Sequence, residues 1–283
     1  MASIRTGVRS GVFAVLGGRE YAGRPVRENG TVLVRSGAVV NPDPSRFTWN
    51  ERVGEWHARL PATELDRLYQ ANTYATYRGH RVNITAVDDT GSATVYFADR
   101  DGSWAEENGF AQVDKYVWLR QVPVWELREV YECQSDLLFP VAGQRPRAGL
   151  FATVGGREYR AESLPDRGVI TLVSDAAANP DPELFEAGAG GRWRAEVLVE
   201  QCERLDEVTT HGLYRGHECQ VVAIEADGAT GLYYLGPDKS RAARDGFVQT
   251  EPGVWARTVD VFDVARLWER HTDLLFAATY GTA

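Results

Sequence analysis

The chain has 283 residues, 43% of them hydrophobic and 11% aromatic, and a net charge of -9. That is enough apolar material for two ordinary packed domains, while the acidic balance counts against non-specific binding to nucleic acid or to an anionic membrane, both of which need clustered positive charge. There is no run of about 18 apolar residues and the first five residues lack the apolar stretch of a secretory signal, so the expectation is a cytoplasmic, globular protein with no membrane span. Cys133, Cys202 and Cys219 are odd in number and have no CxxC spacing, which argues against a disulfide framework and a zinc site. No metal or cofactor is expected.

In chain order, residues 12–16 alternate as a strand, Gly17-Gly18 supplies a hairpin turn, residues 19–26 return antiparallel, and residues 31–35 follow a turn at Gly30. A polar stretch containing Asn41-Pro42-Asp43-Pro44 leads to a tryptophan-centred strand, residues 55–60, closed by Pro61. Leu65, Leu68 and Tyr69 then stand at i, i+3, i+4, which predicts a helix over 62–71. The plan repeats with strands at 73–77, 81–87 and 93–97, and with a second tryptophan strand at 116–122 closed by Pro123. At the far end Val264, Leu267 and Trp268 predict another helix over 261–272.

All of this is written twice. Gly17-Gly18-Arg19-Glu20-Tyr21 returns 138 residues later as Gly155-Gly156-Arg157-Glu158-Tyr159, and Tyr77-Arg78-Gly79-His80 returns 137 residues later as Tyr214-Arg215-Gly216-His217. Inside each copy a fainter period of 62 relates Trp56 to Trp118 and Trp193 to Trp255. A constant offset marks duplicated folding units rather than a shared motif. The expected fold is therefore α+β: a tandem duplication in which each half is a pair of small SH3-like, bent-sheet modules of three strands, a loop, a fourth strand and a short helix. The first unit spans 8–141 with modules 8–72 and 73–141, a linker covers 142–147, and the second unit spans 148–280 with modules 148–209 and 210–280.

Arg78, His80, Arg215 and His217 form the most suggestive constellation, since the histidines titrate near neutrality and the arginines can clamp a carboxylate or phosphate. The Arg-Gly pair falls where Gly17-Gly18 falls, so a structural turn is the competing reading. Asp43 and Asp181, within the repeated Asn-Pro-Asp-Pro, either brace a loop or project it towards a partner. Trp56, Trp118, Trp193 and Trp255 recur at one module position and read as packing residues. Trp49, Trp104 and Trp125 break that four-fold pattern and are the better surface contacts. No spacing singles out a catalytic acid and base, and no GxGxxG, GxxxxGK[ST], HExxH or GxSxG motif occurs.

The Gly-Gly-Arg-Glu-Tyr strand pair, the Tyr-Arg-Gly-His turns and the stretch Trp255 to Val259 resemble uncharacterised actinobacterial tandem-repeat proteins, and compact acidic proteins of this kind resemble immunity proteins of polymorphic toxin systems. The duplication, the acidity and the missing catalytic constellation lead to the expectation of a non-catalytic, immunity-type inhibitor that caps a cognate toxin or effector of basic surface with acidic and aromatic loops. The alternatives are a small-ligand or peptide-binding tandem module and an enzyme acting between the two halves.

Overall fold

Alternation of side chains along short strands, rather than helical periodicity, governs the chain. The computed structural model describes residues 8–26, 30–138 and 145–276. Copy one runs β1 (Ser10–Leu16), β2 (Arg19–Val26), β3 (Thr31–Ser36), β4 (Thr48–Asn50), β5 (Glu55–Pro61) and β6 (Arg67–Tyr77). It continues through β7 (His80–Val87), β8 (Ser92–Phe97), α1 (Gly102–Glu107), β9 (Ala111–Asp114), β10 (Val117–Pro123) and β11 (Leu127–Asp136). Copy two follows with β12 (Ala148–Val154), β13 (Arg157–Ala161), β14 (Val169–Ser174), β15 (Glu186–Ala187), β16 (Trp193–Leu198) and β17 (Arg204–Tyr214). Its second module holds β18 (His217–Ile224), β19 (Ala229–Tyr234), α2 (Lys239–Arg244), β20 (Val248–Glu251), β21 (Val254–Asp260) and β22 (Val264–Asp273).

The α+β, SH3-like expectation is overturned. The protein is 58% strand, and eight antiparallel strands close into one barrel with the remaining strands outside it. The circuit runs β1, β6, β11, β22, β17, β12, β13, β2 and back to β1. Each copy contributes four of these strands at equivalent positions, so the barrel has an internal pseudo-two-fold axis. The axis passes through two seams of unequal strength. β11 and β22 pair over four residues, Glu132 to Ser135 opposite His271 to Trp268, whereas β2 and β13 meet only at Arg19 opposite Arg157.

Both helices predicted from periodicity are strands. Pro61 and Asp260 lead into single 3₁₀ turns at Ala62–Glu64 and Val261–Asp263, after which the chain extends into β6 and β22. Leu68 and Tyr69 are both buried because both faces of β6 are covered: Leu68 enters an outer core with Ala14, Val34 and Leu60, while Tyr69 lies on the barrel side. From Tyr69 to Tyr77 burial falls on alternate residues, the signature of a strand. In β22 a bulge opposite Leu213 and Tyr214 inserts an extra residue, so Val264 and Leu267 reach the same core three positions apart. That bulge is what imitates a helical repeat.

Four apolar cores sit around the barrel, one per module. They are organised about Val34 and Phe47, about Tyr77 and Ile84, about Ile170 and Phe185, and about Tyr214 and Leu232. The repeated tryptophans Trp56, Trp118, Trp193 and Trp255 are half-buried and pack against these cores. The end of the chain is shared between copies: Leu275 enters a copy-two core and Phe276 enters the Tyr77 core of copy one. The two copies are thus joined by a ladder, a common lumen and an apolar plug that copy two supplies to copy one. Residues 142–144 of the expected linker lie outside the described residues, as do 277–280.

Candidate functional site

The barrel lumen is ionic. Arg9, Arg67, Arg147 and Arg204 project inward with Glu20, Glu132, Glu158, Asp206, Glu269 and His271, around a cavity of about 890 Å³ that opens between the hairpins at Gly18 and Gly156. Eight strands is the size at which a barrel interior is filled by side chains or holds one small ligand. The duplication places these groups in register: Arg9 corresponds to Arg147, Glu20 to Glu158, Arg67 to Arg204 and Glu132 to Glu269.

The copies exchange ions across the axis. Arg204 Nη1 donates to Glu132 Oε2 at 2.7 Å, and Arg67 Nη1 lies 3.1 Å from Glu269 Oε2 in the reciprocal pair. Arg9 Nη1 reaches Glu132 Oε1 at 3.2 Å, and Arg147 Nη1 reaches Glu269 Oε2 at 3.4 Å. Even the supports repeat, with the Arg9 backbone bonded to Thr73 Oγ1 at 2.9 Å and that of Arg147 to Thr210 Oγ1 at 2.8 Å.

Two positions break the symmetry. Where copy one has Tyr69, copy two has Asp206, and where copy one has Gln134, copy two has His271. Tyr69 donates its hydroxyl to Glu20, and its ring lies 4.4 Å from the Arg67 guanidinium. Asp206 is instead held by two nitrogens on one edge of the Arg204 guanidinium, Nε at 2.9 Å and Nη2 at 3.0 Å. Gln134 Nε2 donates to Glu132 at 2.7 Å, whereas His271 Nε2 lies 2.7 Å from Glu269 and its Nδ1 sits 3.5 Å from Asp206 as an ion pair without hydrogen-bond geometry.

Burial alone would push Glu269 up, but Arg67, His271 and Arg147 outweigh it and hold its carboxyl at about 2. Asp206 is likewise driven well below the carboxylate range, against its burial, by Arg204 and His271. Burial opposes the charge on His271, and the flanking carboxylates of Asp206 and Glu269 raise it above the ordinary imidazole value. The lumen is therefore a network of charged, buried and mutually dependent groups.

The residues singled out in the sequence lie outside this lumen. Arg78 and Arg215 occupy two-residue hairpin turns with positive φ at 49° and 48°, followed by Gly79 and Gly216, also at positive φ. His80 stacks 3.9 Å from Trp104 and pairs with Asp99 at 3.4 Å, while buried His217 lies 2.5 Å from Asp245. The antiparallel β11–β22 ladder sends the two turns to opposite ends of the molecule. Tyr77 pairs with Leu127 and Tyr214 with Val264, an offset of about twelve residues along the ladder and thus roughly 40 Å. No common pocket joins them among the described residues.

Asp43 and Asp181 accept hydrogen bonds from the Ser45 and Glu183 amides at 2.9 and 3.1 Å, in loops further braced by Asn41 to Phe47 and Asn179 to Phe185. Trp104 is half-buried against the Phe97 and Phe110 rings, whereas Trp125 is exposed on its 3₁₀ turn. Trp49 is exposed and meets Trp56 edge-on at 5.0 Å. Trp56 Nε1 in turn bonds Ala38 O at 3.1 Å, next in sequence to exposed Val39 and Val40, and exposed Val53 lies in the turn between the Trp49 and Trp56 strands. Copy two carries Ala177, Ala178 and Ala187 at the places of Val39, Val40 and Trp49, and Ala187 pairs with Trp193 as Trp49 does with Trp56.

Reading 62–71 and 261–272 as helices hid the lumen residues. The available signal was polar residues two apart at the duplicated offset, as in Arg67-x-Tyr69 against Arg204-x-Asp206 and Glu132-x-Gln134 against Glu269-x-His271.

Residues 8–136, which make up copy one, match a family model described as Uncharacterised conserved protein UCP033725. No curated protein and no solved structure matches the chain. No helix among the described residues is long and apolar enough to cross a membrane.

Proposed function

We propose that the protein is a non-catalytic binding protein that caps a partner protein with a basic surface, in the manner of an immunity protein acting on a toxin or effector. The observation that carries the reading is the exposure, in copy one alone, of the apolar side chains Val39, Val40, Trp49 and Val53 on loops tied together through Trp56. A contiguous exposed apolar group rimmed by polar residues is the usual mark of a protein contact, and tryptophan is prominent among contact residues that dominate binding. Copy two keeps the short strand paired to the tryptophan strand, with Ala187 opposite Trp193, and has alanine in place of Val39, Val40 and Trp49, so these apolar side chains are not a requirement of that pairing. The net charge of -9 favours a basic partner and speeds encounter with it.

The test compares three baits in lysate of the source organism. Wild-type protein and an A177S/A178S control should retain one stoichiometric partner, which a V39S/V40S/W49A variant of unchanged melting temperature should lose. Equal capture by all three baits, or capture of none, would remove the patch from consideration.

A further inference from the structure

The duplication supplies an internal template for a ligand. In copy two, Arg204 uses Nη1 to cross the axis to Glu132 and its Nε–Nη2 edge to clamp the Asp206 carboxylate at 2.9 and 3.0 Å. In copy one, Arg67 uses Nη1 in the same way, bonding Gln134 at 2.6 Å and pairing with Glu269 at 3.1 Å. Its other edge holds no hydrogen-bonded carboxylate: Tyr69 replaces the aspartate, and Asp136 Oδ2 lies at ion-pair distance, 3.9 Å from Nε. Arg67 Nε is buried without a hydrogen-bond partner, Nη2 forms no hydrogen bond among the described residues, and the side chain lines the cavity.

We infer that the Nε–Nη2 edge of Arg67 is a clamp for the carboxylate of a small zwitterion, an amino acid or short peptide, bound in the barrel lumen. Bidentate carboxylate recognition is what a guanidinium edge does best, and the geometry is realised in the same molecule one copy away. A simple anion does not fit. Asp136 lies 3.9 Å from Arg67 Nε, and the cavity wall adds Glu158, Glu200 and Glu203. Glu158 loses a donor through the same replacement that empties the clamp: Glu20 is bonded by the Tyr69 hydroxyl, while Asp206 has no hydroxyl to offer Glu158. Glu203 is engaged through Oε1 by the Gly156 amide. These carboxylates accept the ammonium group, so the bound ligand adds no net charge to a lumen already dense in ions. This site is separate from the apolar patch and does not depend on it.

Calorimetric titration of the full chain with L-alanine, L-alanyl-L-alanine and tri-L-alanine tests the idea, and the span from ammonium to carboxylate decides among amino acid, dipeptide and tripeptide. At least one should bind saturably, and its N-acetylated and C-amidated analogues should bind about 10- to 100-fold more weakly, as expected for loss of one charged hydrogen-bonded contact. Tyr69→Asp places in copy one the carboxylate that copy two already carries, so it should fill the clamp and abolish binding without loss of melting temperature. Arg67→Lys keeps the charge and removes the fork, and should weaken binding comparably if Tyr69→Asp fails to fold. Absence of binding by every zwitterion at millimolar concentration, equal affinity for the blocked analogues, or wild-type affinity in a folded Tyr69→Asp protein would each overturn the assignment.

Discussion

Copy one and copy two line the same barrel with the same arginines and glutamates, yet Tyr69 faces Asp206 and Gln134 faces His271 across the pseudo-two-fold axis. The shared groups hold the barrel closed, since each copy's arginine reaches the other copy's glutamate. The two substitutions change chemistry without changing backbone. Copy two completes its own charge pairing with an Asp–His–Glu–Arg cluster, while copy one leaves the Arg67 Nε–Nη2 edge without a hydrogen-bonded carboxylate. Duplication thus made a scaffold from what the copies retain, and a candidate site from what they do not.

The largest effect should come from breaking the shared part. Glu132→Leu removes the buried carboxylate shared by Arg9 and Arg204, leaving them Glu20 and Asp206 as their remaining partners, and should destabilise the protein by about 3–5 kcal/mol in urea titrations. A cost below about 1 kcal/mol would show that the lumen is solvated rather than an ionic lock.

The second effect separates the copies by pH. The raised pKa of His271 means its stabilisation is present below the ordinary imidazole value of 6.5 and is lost as pH rises through the folded value. The depressed carboxyls of Asp206 and Glu269 act oppositely, with stabilisation present above the ordinary carboxylate range and lost as pH falls towards their folded values. Melting temperature should therefore decline on both the alkaline and the acid side. His271→Gln, which copies Gln134 into the second half, should flatten the alkaline branch and weaken the acid one without removing it, since Arg204, Arg67 and Arg147 still hold Asp206 and Glu269 down. An unchanged alkaline branch would mean the imidazole is neutral throughout.

A smaller, symmetric effect is expected at the helix starts. Asp101 and Asp238 accept from the Trp104 and Arg241 amides at 3.1 and 2.9 Å, so Asp101→Ala and Asp238→Ala should each destabilise by about 1 kcal/mol. Unequal losses in thermal melts would show that the two outer modules differ in local stability.

The smallest effect concerns the Tyr-Arg-Gly-His turns. Arg78→Asn and Arg215→Asn place a residue tolerant of positive φ where the chain has φ of 49° and 48°, and should stabilise by about 0.5 kcal/mol in thermal melts. Retained partner capture by both variants would assign these turns to folding. Loss of capture would return them to recognition.

Much of the architecture was legible in the residues. The offsets of 137 and 138, the early strands, and the Arg-Gly turns standing where Gly-Gly stands can all be read from the chain. The failures share one cause. Leu65, Leu68 and Tyr69 look helical because β6 is buried on two faces, one by an outer core and one by the lumen, and Val264 with Leu267 looks helical because of a bulge. Periodicity over five residues cannot separate a helix from a strand covered on both sides. Reading those segments as helices removed Arg67, Glu269 and His271 from view as groups on one face.

The sequence by itself determined that two copies of one folding unit stand in tandem, that each contains short alternating strands between glycine turns, and that charge balance disfavours a nucleic-acid partner, because turn chemistry, side-chain alternation and net charge are local or additive properties. Only the tertiary structure decided that the copies close a single barrel, that the arginines of one copy meet the glutamates of the other, and that Tyr69 stands where a carboxylate would complete the clamp. Those facts depend on strand pairs separated by more than a hundred residues, and no local pattern encodes which edge of a sheet will find which.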